Sequence, residues 1–298
     1  MTELAQLVVK GAALGGIYAL IALGFVVVFK ATGVVNFAQG SLMLVGSYLA
    51  SSAAVSWGLS FPLAVAVAAA GAVGTGLVVE RLVLRRMSGR PAVAVITATI
   101  GLAIVLDQLV TAAWGFRPRA VGDPWGAASV RVGEVVVSQV DVATVLITAA
   151  VVGGLSVFFR HARLGLALRA AASDLESAVA AGVGPQTVSR LAWGLAAVVG
   201  AVAGVLLASG TGSATPELSE QALRAFPAVV LGGFGSLGGA VAGGLVIGVI
   251  EVLTAGYAPT HAPWLGANVH LVAPYVVMLL LLSIRPAGLL GAKDVQRL

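Results

Sequence analysis

Hydrophobic residues run through this chain in long stretches, and short intervals between the stretches hold most of the charges. The nineteen residues from Gly11 to Phe29 include no charged side chain. As an α-helix this stretch would be about 28 Å long, close to the thickness of about 30 Å of a hydrocarbon core. The pattern predicts about eight apolar helical segments, at about 11–29, 36–57, 61–79, 92–113, 142–159, 191–209, 226–254 and 269–284.

Composition supports a membrane environment. Charged residues are 10% of the 298 and hydrophobic residues 59%, whereas about a quarter of the residues in a soluble domain are charged. We therefore expect an all-α, polytopic integral membrane protein with a single transmembrane domain over residues 1–298. The chain has no cysteine, which excludes disulfides, cysteine-based metal sites and thiol nucleophiles. The net charge of +5 is spread over separate intervals and does not form a nucleic-acid patch.

The charged intervals predict the topology, because lysine and arginine accumulate on the cytoplasmic side of membrane proteins. Intervals 80–91 and 160–190 are rich in arginine, whereas 114–141 and 210–225 are balanced or acidic. The first pair is therefore predicted inside and the second pair outside, with the N-terminus outside. The C-terminus is predicted inside from its basic residues, which are Arg285, Lys293 and Arg297.

Segment 226–254 is predicted to contain a broken or re-entrant helix pair. A single crossing here would leave the basic C-terminus outside, against the charge rule. The segment also carries a glycine run from Gly232 to Gly239, and glycine destabilises a helix interior by about 1 kcal/mol relative to alanine. Irregular backbone is tolerated in the membrane only beside protein or water, which places the break toward the interior. Alternatively, the glycines only allow close helix packing.

Residues 164–182 are predicted to form an amphipathic helix in the inner interval. Its apolar face comprises Leu164, Leu168, Leu175, Val179 and Gly182. Polar residues, including Arg169 and Glu176, fall on the other side. Such a helix lies on the membrane surface or docks into a soluble partner.

Four stretches resemble a known family. Residues 176–182, Glu-Ser-Ala-Val-Ala-Ala-Gly, resemble the cytoplasmic loop of ABC import permeases, with Ser177 departing from the motif. Residues 15–25 together with 33–40 resemble the signature of the branched-chain amino acid permeases of ABC importers, the LivH family. Residues 168–178 and the run from Phe226 to Gly239 match further, in the family's order.

The resemblance implies a permease subunit for branched-chain or related small amino acids in the cell membrane. It implies two ABC ATPase subunits, a second permease subunit, homologous or identical, and an extracytoplasmic substrate-binding protein as partners. Residues 164–182 would be the coupling helix, and 114–141 an extracytoplasmic loop. The residues expected to couple to the ATPase are Arg169, Asp174, Glu176, Ala178 and Gly182.

A second set of residues is expected at the translocation path or at helix breaks: Asn36, Gln39, Gly40, Gly232, Gly233, Gly235 and Ser236. The amides of Asn36 and Gln39 would hold open a helix break or meet substrate. The alternative is a structural role, in which they supply a helix cap and a hydrogen bond between helices.

An alternative function is an ion-coupled secondary transporter of a small polar solute. Asp107 and Glu251 are carboxylates within apolar stretches, and an intramembrane ionisable residue suggests a functional site. Both could instead lie near the outer interface, paired or solvated. No phosphate-binding Gly-x-x-x-x-Gly-Lys-Ser/Thr string is present, so we expect energy to come from partners. The sequence offers no catalytic constellation, no cofactor motif and no metal-ligand spacing among His161, His261 and His270.

Overall fold

The computed structural model describes residues 2–87, 89–133, 135–266, 268–285 and 288–290. Lys293 and Arg297, which entered the topology prediction, lie outside these ranges. The helices are α1 (Thr2–Thr32), α2 (Gln39–Ser51), α3 (Phe61–Leu82), α4 (Ala92–Trp114), α5 (Gln139–His161), α6 (Arg163–Ser173), α7 (Leu175–Ala180), α8 (Pro185–Thr211), α9 (Leu218–Arg224), α10 (Phe226–Gly232), α11 (Leu237–His261) and α12 (Val269–Ile284). Short turns extend this framework: a π-helical turn at Ser52–Ser56 and 3-10 turns at Leu84–Met87 and Pro263–Leu265.

The fold is all-α and polytopic, but the number of long crossings is six in the described residues, not eight. These six are α1, α3, α4, α5, α8 and α11. The other two predicted segments contain helices that are shorter than these six. Helix α2 has 13 residues because the chain is not helical before Gln39, and α12 has 16. Interval 210–225, which was predicted to lie on the outer side, contains α9.

Helices α1, α2 and α8 form the interior, and α11 packs against α1 through small residues that bring the two backbones together. A Cβ on Gly15 would lie 2.7 Å from the Cα of Leu245, and one on Gly244 would lie 2.6 Å from the Cα of Ala19. Along these contacts the residue numbers rise in α1 and fall in α11, so the two helices are antiparallel. Close approach through small residues is how helices associate in a bilayer, where apolar burial gives little driving force.

Basic residues gather at one end of the bundle, which we call the basic face. Lys30 at the end of α1, Arg85 after α3 and Arg90 before α4 line one cavity there. The other end, the opposite face, carries the loop between α4 and α5. Arg119 in this loop pairs with Ala214 after α8 through backbone hydrogen bonds of 3.0 and 2.7 Å.

The opposite face also holds a small β-hairpin that was not predicted. Strands β1 (Ser129–Val132) and β2 (Val135–Ser138) are antiparallel, with Ser129 opposite Ser138. The hairpin leads directly into α5. It ties part of the predicted 114–141 loop into regular structure.

The glycine run makes a sharp turn between two antiparallel helices, as the broken-pair prediction requires. The backbone of Gly232 contacts that of Gly239, and the backbone of Ala228 contacts that of Gly243. A Cβ on any of these three glycines would overlap the backbone of the residue it contacts. Gly233 has a φ of 90°, a conformation that glycine adopts without steric cost. The two arms are unequal, because α10 has 7 residues and α11 has 25.

Candidate functional site

The predicted amphipathic segment 164–182 is two helices, α6 and α7, which we call the α6–α7 unit. Asp174 separates them with extended backbone. Its carboxylate accepts hydrogen bonds from the amide of Ser177 at 3.1 Å and from the Ser177 hydroxyl at 2.6 Å. These bonds cap α7 and hold the pKa of the Asp174 carboxyl below its usual value. The single helix that periodicity predicted is therefore broken at Asp174.

Gly182 ends α7 in a geometry that requires glycine. The amide of Val183 donates to the carbonyl of Ala178, and that of Gly182 to Val179, both at 2.9 Å. With a φ of 90° at Gly182, this pair of bonds is a Schellman motif. Helix α7 is therefore capped by hydrogen bonds at both ends.

One side of the α6–α7 unit is buried against the bundle. Leu168, Ala171 and Ala178 are 4%, 8% and 4% exposed. They pack in one apolar cluster with residues of α1, α5 and α8, namely Val27, Phe159, Val188 and Ala192. The predicted apolar face is only partly correct, because Leu164 and Val179 are exposed.

The other side of the unit is accessible and carries its charged residues, beside the exposed Leu164 and Val179. Arg169, Asp174 and Glu176 are exposed, and Gly182 lies beside them at the end of α7. Ala178 differs from these expected coupling residues because it is an anchor within the apolar cluster. The structure therefore brings the predicted coupling residues onto one unit, which has a buried apolar side and an accessible side that carries the charges.

The chain between α1 and α2 is the first helix break. Asn36 is 1% exposed, and its Oδ1 accepts a hydrogen bond from the amide of Ala38 at 3.0 Å. Gln39 is fully buried, and its Nε2 donates to the carbonyl of Ala196 in α8 at 3.0 Å. The Gln39 bond is the interhelical contact of the structural alternative, whereas the Asn36 bond is local and does not cap α2, whose first turn has no side-chain cap. Neither bond satisfies Asn36 Nδ2 or Gln39 Oε1, which have no partner among the described residues.

Gly40 joins this break to α9. A Cβ at Gly40 would overlap the carbonyl of Ser219 and lie 3.0 Å from the Cβ of Ala222. The Ser219 hydroxyl in turn donates to Asp107 Oδ2 at 2.9 Å. Asp107 is therefore paired within the bundle and only partly buried.

A second break interrupts the chain between α8 and α11. Ala214 lies at the opposite face, where it pairs with Arg119, and Gly235 lies at the basic face, where its carbonyl accepts from Lys30 Nζ at 2.7 Å. The chain crosses between these points through the short helices α9 and α10. Ser236 ends the turn by capping α11, with its hydroxyl accepting from the amide of Gly239 at 3.0 Å.

Phenylalanine side chains connect the two breaks, and sequence reasoning missed them. Phe37, next to Asn36, lies 6.3 Å from Phe226 at the start of α10. Phe226 lies 5.9 Å from Phe234, in the glycine turn. We call these three rings, with Phe25 and Phe29 of α1, the phenylalanine cluster. The candidate residues around Asn36 and around Gly232 are therefore neighbours, although about 200 residues separate them in the sequence.

Two buried carboxylates lie elsewhere in the bundle. Glu251 in α11 is 6% exposed and accepts a hydrogen bond of 2.7 Å from the Tyr18 hydroxyl of α1. Glu80 in α3 is 1% exposed and lies 3.6 Å from Arg190 Nε of α8. Its burial was not predicted, because a glutamate among arginines in sequence suggests a solvated loop. The described residues contain no group of three His, Asp or Glu side chains placed to hold a metal ion.

An all-helical bundle with broken crossings in its interior and an exposed, capped helical unit at one face has the architecture of a membrane transport permease. The sequence matches the family described as the permease component of branched-chain amino acid transport systems, over residues 7–282. The chain belongs to this family.

Individual relatives are similar over nearly their whole length. A permease protein LivH of a high-affinity branched-chain amino acid transport system from Salmonella typhimurium is 31% identical, covering 98% of this chain and 97% of its own. The corresponding BraD protein of Pseudomonas aeruginosa is also 31% identical, with the same coverage. A probable LivH of Methanocaldococcus jannaschii is 27% identical over 98% of this chain and 95% of its own. No solved structure matches the chain.

Proposed function

We propose that the chain is the transmembrane permease subunit of an ABC importer for branched-chain or related small amino acids. Two ATPase subunits supply the energy, a second permease subunit completes the path, and an extracytoplasmic binding protein delivers the substrate. The observation that carries the proposal is the α6–α7 unit, in which α7 is capped at both ends, the accessible side carries the charged residues and the other side is anchored to the bundle. Family membership supports the assignment.

Coupling would act mechanically. The ATPase contacts the exposed Arg169, Asp174 and Glu176, and the caps at Asp174 and Gly182 keep α7 rigid enough to transmit a push. Movement of the unit carries Leu168 and Ala178 against the ends of α1, α5 and α8. These helices then shift between an outward-open and an inward-open arrangement.

The substrate path would follow the two helix breaks. Asn36, Gln39 and Gly40 lie at one break, and Gly232, Gly233, Gly235 and Ser236 lie at the other, with the phenylalanine cluster between them. The cluster is apolar, which suits an aliphatic side chain. Weak contacts along the path favour release, and specificity would lie with the binding protein.

The basic face would be cytosolic, in agreement with the positive-inside rule. Helix α1 runs from the opposite face to the basic face, so the N-terminus would be outside. Residues 288–290 lie beside α10 at the basic face, so the C-terminus would be inside. The loop over residues 114–141, with its hairpin, would then be extracytoplasmic.

The decisive experiment replaces Gly182 with alanine in the assembled complex, reconstituted in vesicles with its ATPases and binding protein. The positive φ of Gly182 strains any other residue, so the Schellman end of α7 should distort. We expect substrate-stimulated ATP hydrolysis and uptake to fall at least tenfold while membrane insertion is unchanged. Gly184→Ala is the matched control, because Gly184 has a φ of −67° that alanine adopts freely.

Two outcomes would contradict the proposal. Normal coupling in Gly182→Ala vesicles would remove the assignment of the α6–α7 unit. Uptake that persists in cells deleted for the ATPase subunits would favour a secondary transporter, in which Asp107 or Glu251 binds the coupling ion.

A further inference from the structure

A cavity of about 500 Å³ opens at the basic face, and we call it the basic-face cavity. Its size falls within the range of about 300 to 1,000 Å³ that is typical of small-molecule sites. The chain between α1 and α2 and the start of α8 form part of its wall. The rest of the wall comes from the end of α3, the turn at Leu84–Met87 and the start of α4. This second part takes no part in the substrate path proposed above.

Three cationic side chains line this cavity without an anionic partner among the described residues. They are Lys30, Arg85 and Arg90, and both arginines are exposed. Glu80 is the one carboxylate among the described lining residues, and it is paired with Arg190 at 3.6 Å. Because that pair is complete in itself, the positive charge of the other three side chains is uncompensated. Such a wall attracts an anion.

The cavity lies between two helices that hardly touch, although they follow each other in the chain. Helix α3 packs against α2 and α8, whereas α4 packs against α2 and the turn that precedes it. Glu80 and Leu84 line the cavity from the α3 side, and Val95 and Thr99 line it from the α4 side. Because α3 and α4 do not pack along each other, a gap between them leads from the cavity to the outside of the bundle.

The surroundings of this gap are apolar. In the most apolar parts of α3 and α4, only 28% and 17% of the residues are buried within the chain. Near the basic face, Leu82 of α3 is 51% exposed and Val93 of α4 is 74% exposed. Apolar side chains exposed on membrane-spanning helices contact acyl chains, and arginines at the ends of such helices reach the headgroup region. The cavity therefore meets the bilayer at the level of the lipid phosphates.

We propose that the basic-face cavity binds the headgroup of an anionic phospholipid, with Lys30, Arg85 and Arg90 around the phosphate. Guanidinium groups suit this role because they donate paired hydrogen bonds to phosphate oxygens. The acyl chains leave through the gap between α3 and α4, along Leu82 and Val93. A lipid with a choline or ethanolamine headgroup fits less well, because its ammonium meets the same uncompensated cations. Binding needs neither ATP nor partner subunits, so it is independent of the proposed transport function.

The test uses the purified full-length chain, delipidated in detergent and then given equal amounts of phosphatidylglycerol and phosphatidylcholine with the same acyl chains. Native mass spectrometry measures the lipid that stays bound. We expect at least fivefold more phosphatidylglycerol than phosphatidylcholine on the protein. The double variant Arg85→Gln with Arg90→Gln should lower phosphatidylglycerol binding at least tenfold. Equal binding of the two lipids to the unsubstituted chain would overturn the proposal.

A matched double variant separates a site from the general attraction of a basic surface. Arg81 and Arg86 belong to the same stretch of chain and are exposed, but they are not among the described lining residues of the cavity. Arg81→Gln with Arg86→Gln therefore removes the same charge outside the site, and phosphatidylglycerol binding should stay within about twofold. Equal losses in the two double variants would mean that the basic face attracts anionic lipid without a site, and would overturn the proposal.

Two further measurements on the unsubstituted chain test whether the ligand is a lipid. Glycerol 3-phosphate in large excess should not displace phosphatidylglycerol, because the acyl chains add to the binding; displacement would assign the cavity to a soluble phosphate instead. Phosphatidylglycerol with a photoreactive acyl chain should label α3 and α4 near Leu82 and Val93 more than α5 near Val157. Val157 is 60% exposed on a helix that ends at the same face, so equal labelling there would contradict the route between α3 and α4.

Discussion

Two pairs of long helices have nearly the same apolar character and opposite positions in the molecule. In the most apolar part of α1 and of α8, 83% of the residues are buried within the chain, compared with 17% in α4 and in α5. Hydropathy predicts all four as membrane spans and cannot tell the two pairs apart. In a bilayer this is expected, since lipid tails are as apolar as leucine and burial follows packing.

The pairs differ in how their small residues are used. Gly15 of α1 and Gly204 of α8 meet the backbone of another helix, where a Cβ would overlap it. Gly153 and Gly154 of α5 have no neighbour within 4 Å of their Cβ positions among the described residues. Glycine content alone therefore does not identify an interior helix. An interior helix is identified by glycines that contact the backbone of another helix.

The largest effect should come from a methyl group added where two long helices meet through their backbones. Gly248 of α11 lies against the backbone of Gly15, so neither side can move easily. We expect Gly248→Ala to destabilise the chain by about 3 kcal/mol, at the upper end of the usual cost of overpacking. Gly153→Ala should instead be neutral or stabilising by up to about 1 kcal/mol, because alanine is the better helix former. Thermal denaturation in detergent measures both, and equal effects would contradict the packing argument.

A matched pair of leucine truncations should give the next largest difference. Leu206 of α8 is 1% exposed, whereas Leu146 of α5 is 65% exposed. The reference state in lipid is already apolar, so mainly the cavity contribution remains, and Leu206→Ala should cost about 2 kcal/mol. Leu146→Ala should stay within about 0.5 kcal/mol. A large loss for Leu146→Ala would indicate that protein covers this position.

The hydrogen bond between Tyr18 and Glu251 should contribute less. Tyr18→Phe removes the donor and leaves a buried carboxylate oxygen without it. We expect a loss of about 1.5 kcal/mol, near the upper end for interhelical hydrogen bonds in bilayers, because the acceptor is a carboxylate. The control is Tyr257→Phe, which makes the same substitution near the end of α11 and leaves the bond between Tyr18 and Glu251 in place. Equal melting temperatures for the two variants would show that the bond adds nothing to stability.

The smallest effect should be a local response of α7 to acid, which the buried helices should not share. The pKa of the Asp174 carboxyl is lowered because Ser177 donates two hydrogen bonds to it. A lowered pKa means that the ionised cap stabilises α7 at neutral pH. This contribution should decline as the pH falls below the ordinary value of 3.8 and disappear once it passes the lowered pKa.

Amide hydrogen exchange in residues 175–182 would measure that response. Asp174→Asn should cap α7 without titrating, so exchange in this variant should lack the acid-dependent step. An acid step that persists in the asparagine variant would assign the response to another group.

The sequence was most informative where backbone chemistry decides the structure. The predicted bounds of the last segment, 269–284, are those of α12. The glycine run from Gly232 to Gly239 predicted a broken pair, and the structure turns there. The orientation of the termini stays a prediction, as do the roles of the coupling and path residues.

The sequence misled where tertiary contacts decide. Charges such as Glu220 and Arg224 gave no sign of a helix in interval 210–225, yet α9 lies beside α2 and α4, with Ser219 bonded to Asp107. Asp174 breaks the amphipathic helix because its side chain bonds to Ser177, a local competition that the apolar period does not show. The burial of Glu80 also depends on tertiary contacts, because only the packing of the folded bundle buries this side chain.

The segment that follows α12 has a consequence for biogenesis. The amide of Leu289 donates to the carbonyl of Leu231 at 2.7 Å, and that of Leu290 to Gly232 at 3.4 Å. These carbonyls end α10, which is synthesised more than fifty residues earlier. A nascent chain that ends at α12 would contain every long helix but would lack the two hydrogen bonds that close the end of α10. The final packing of α10 therefore waits for the synthesis of Leu289 and Leu290.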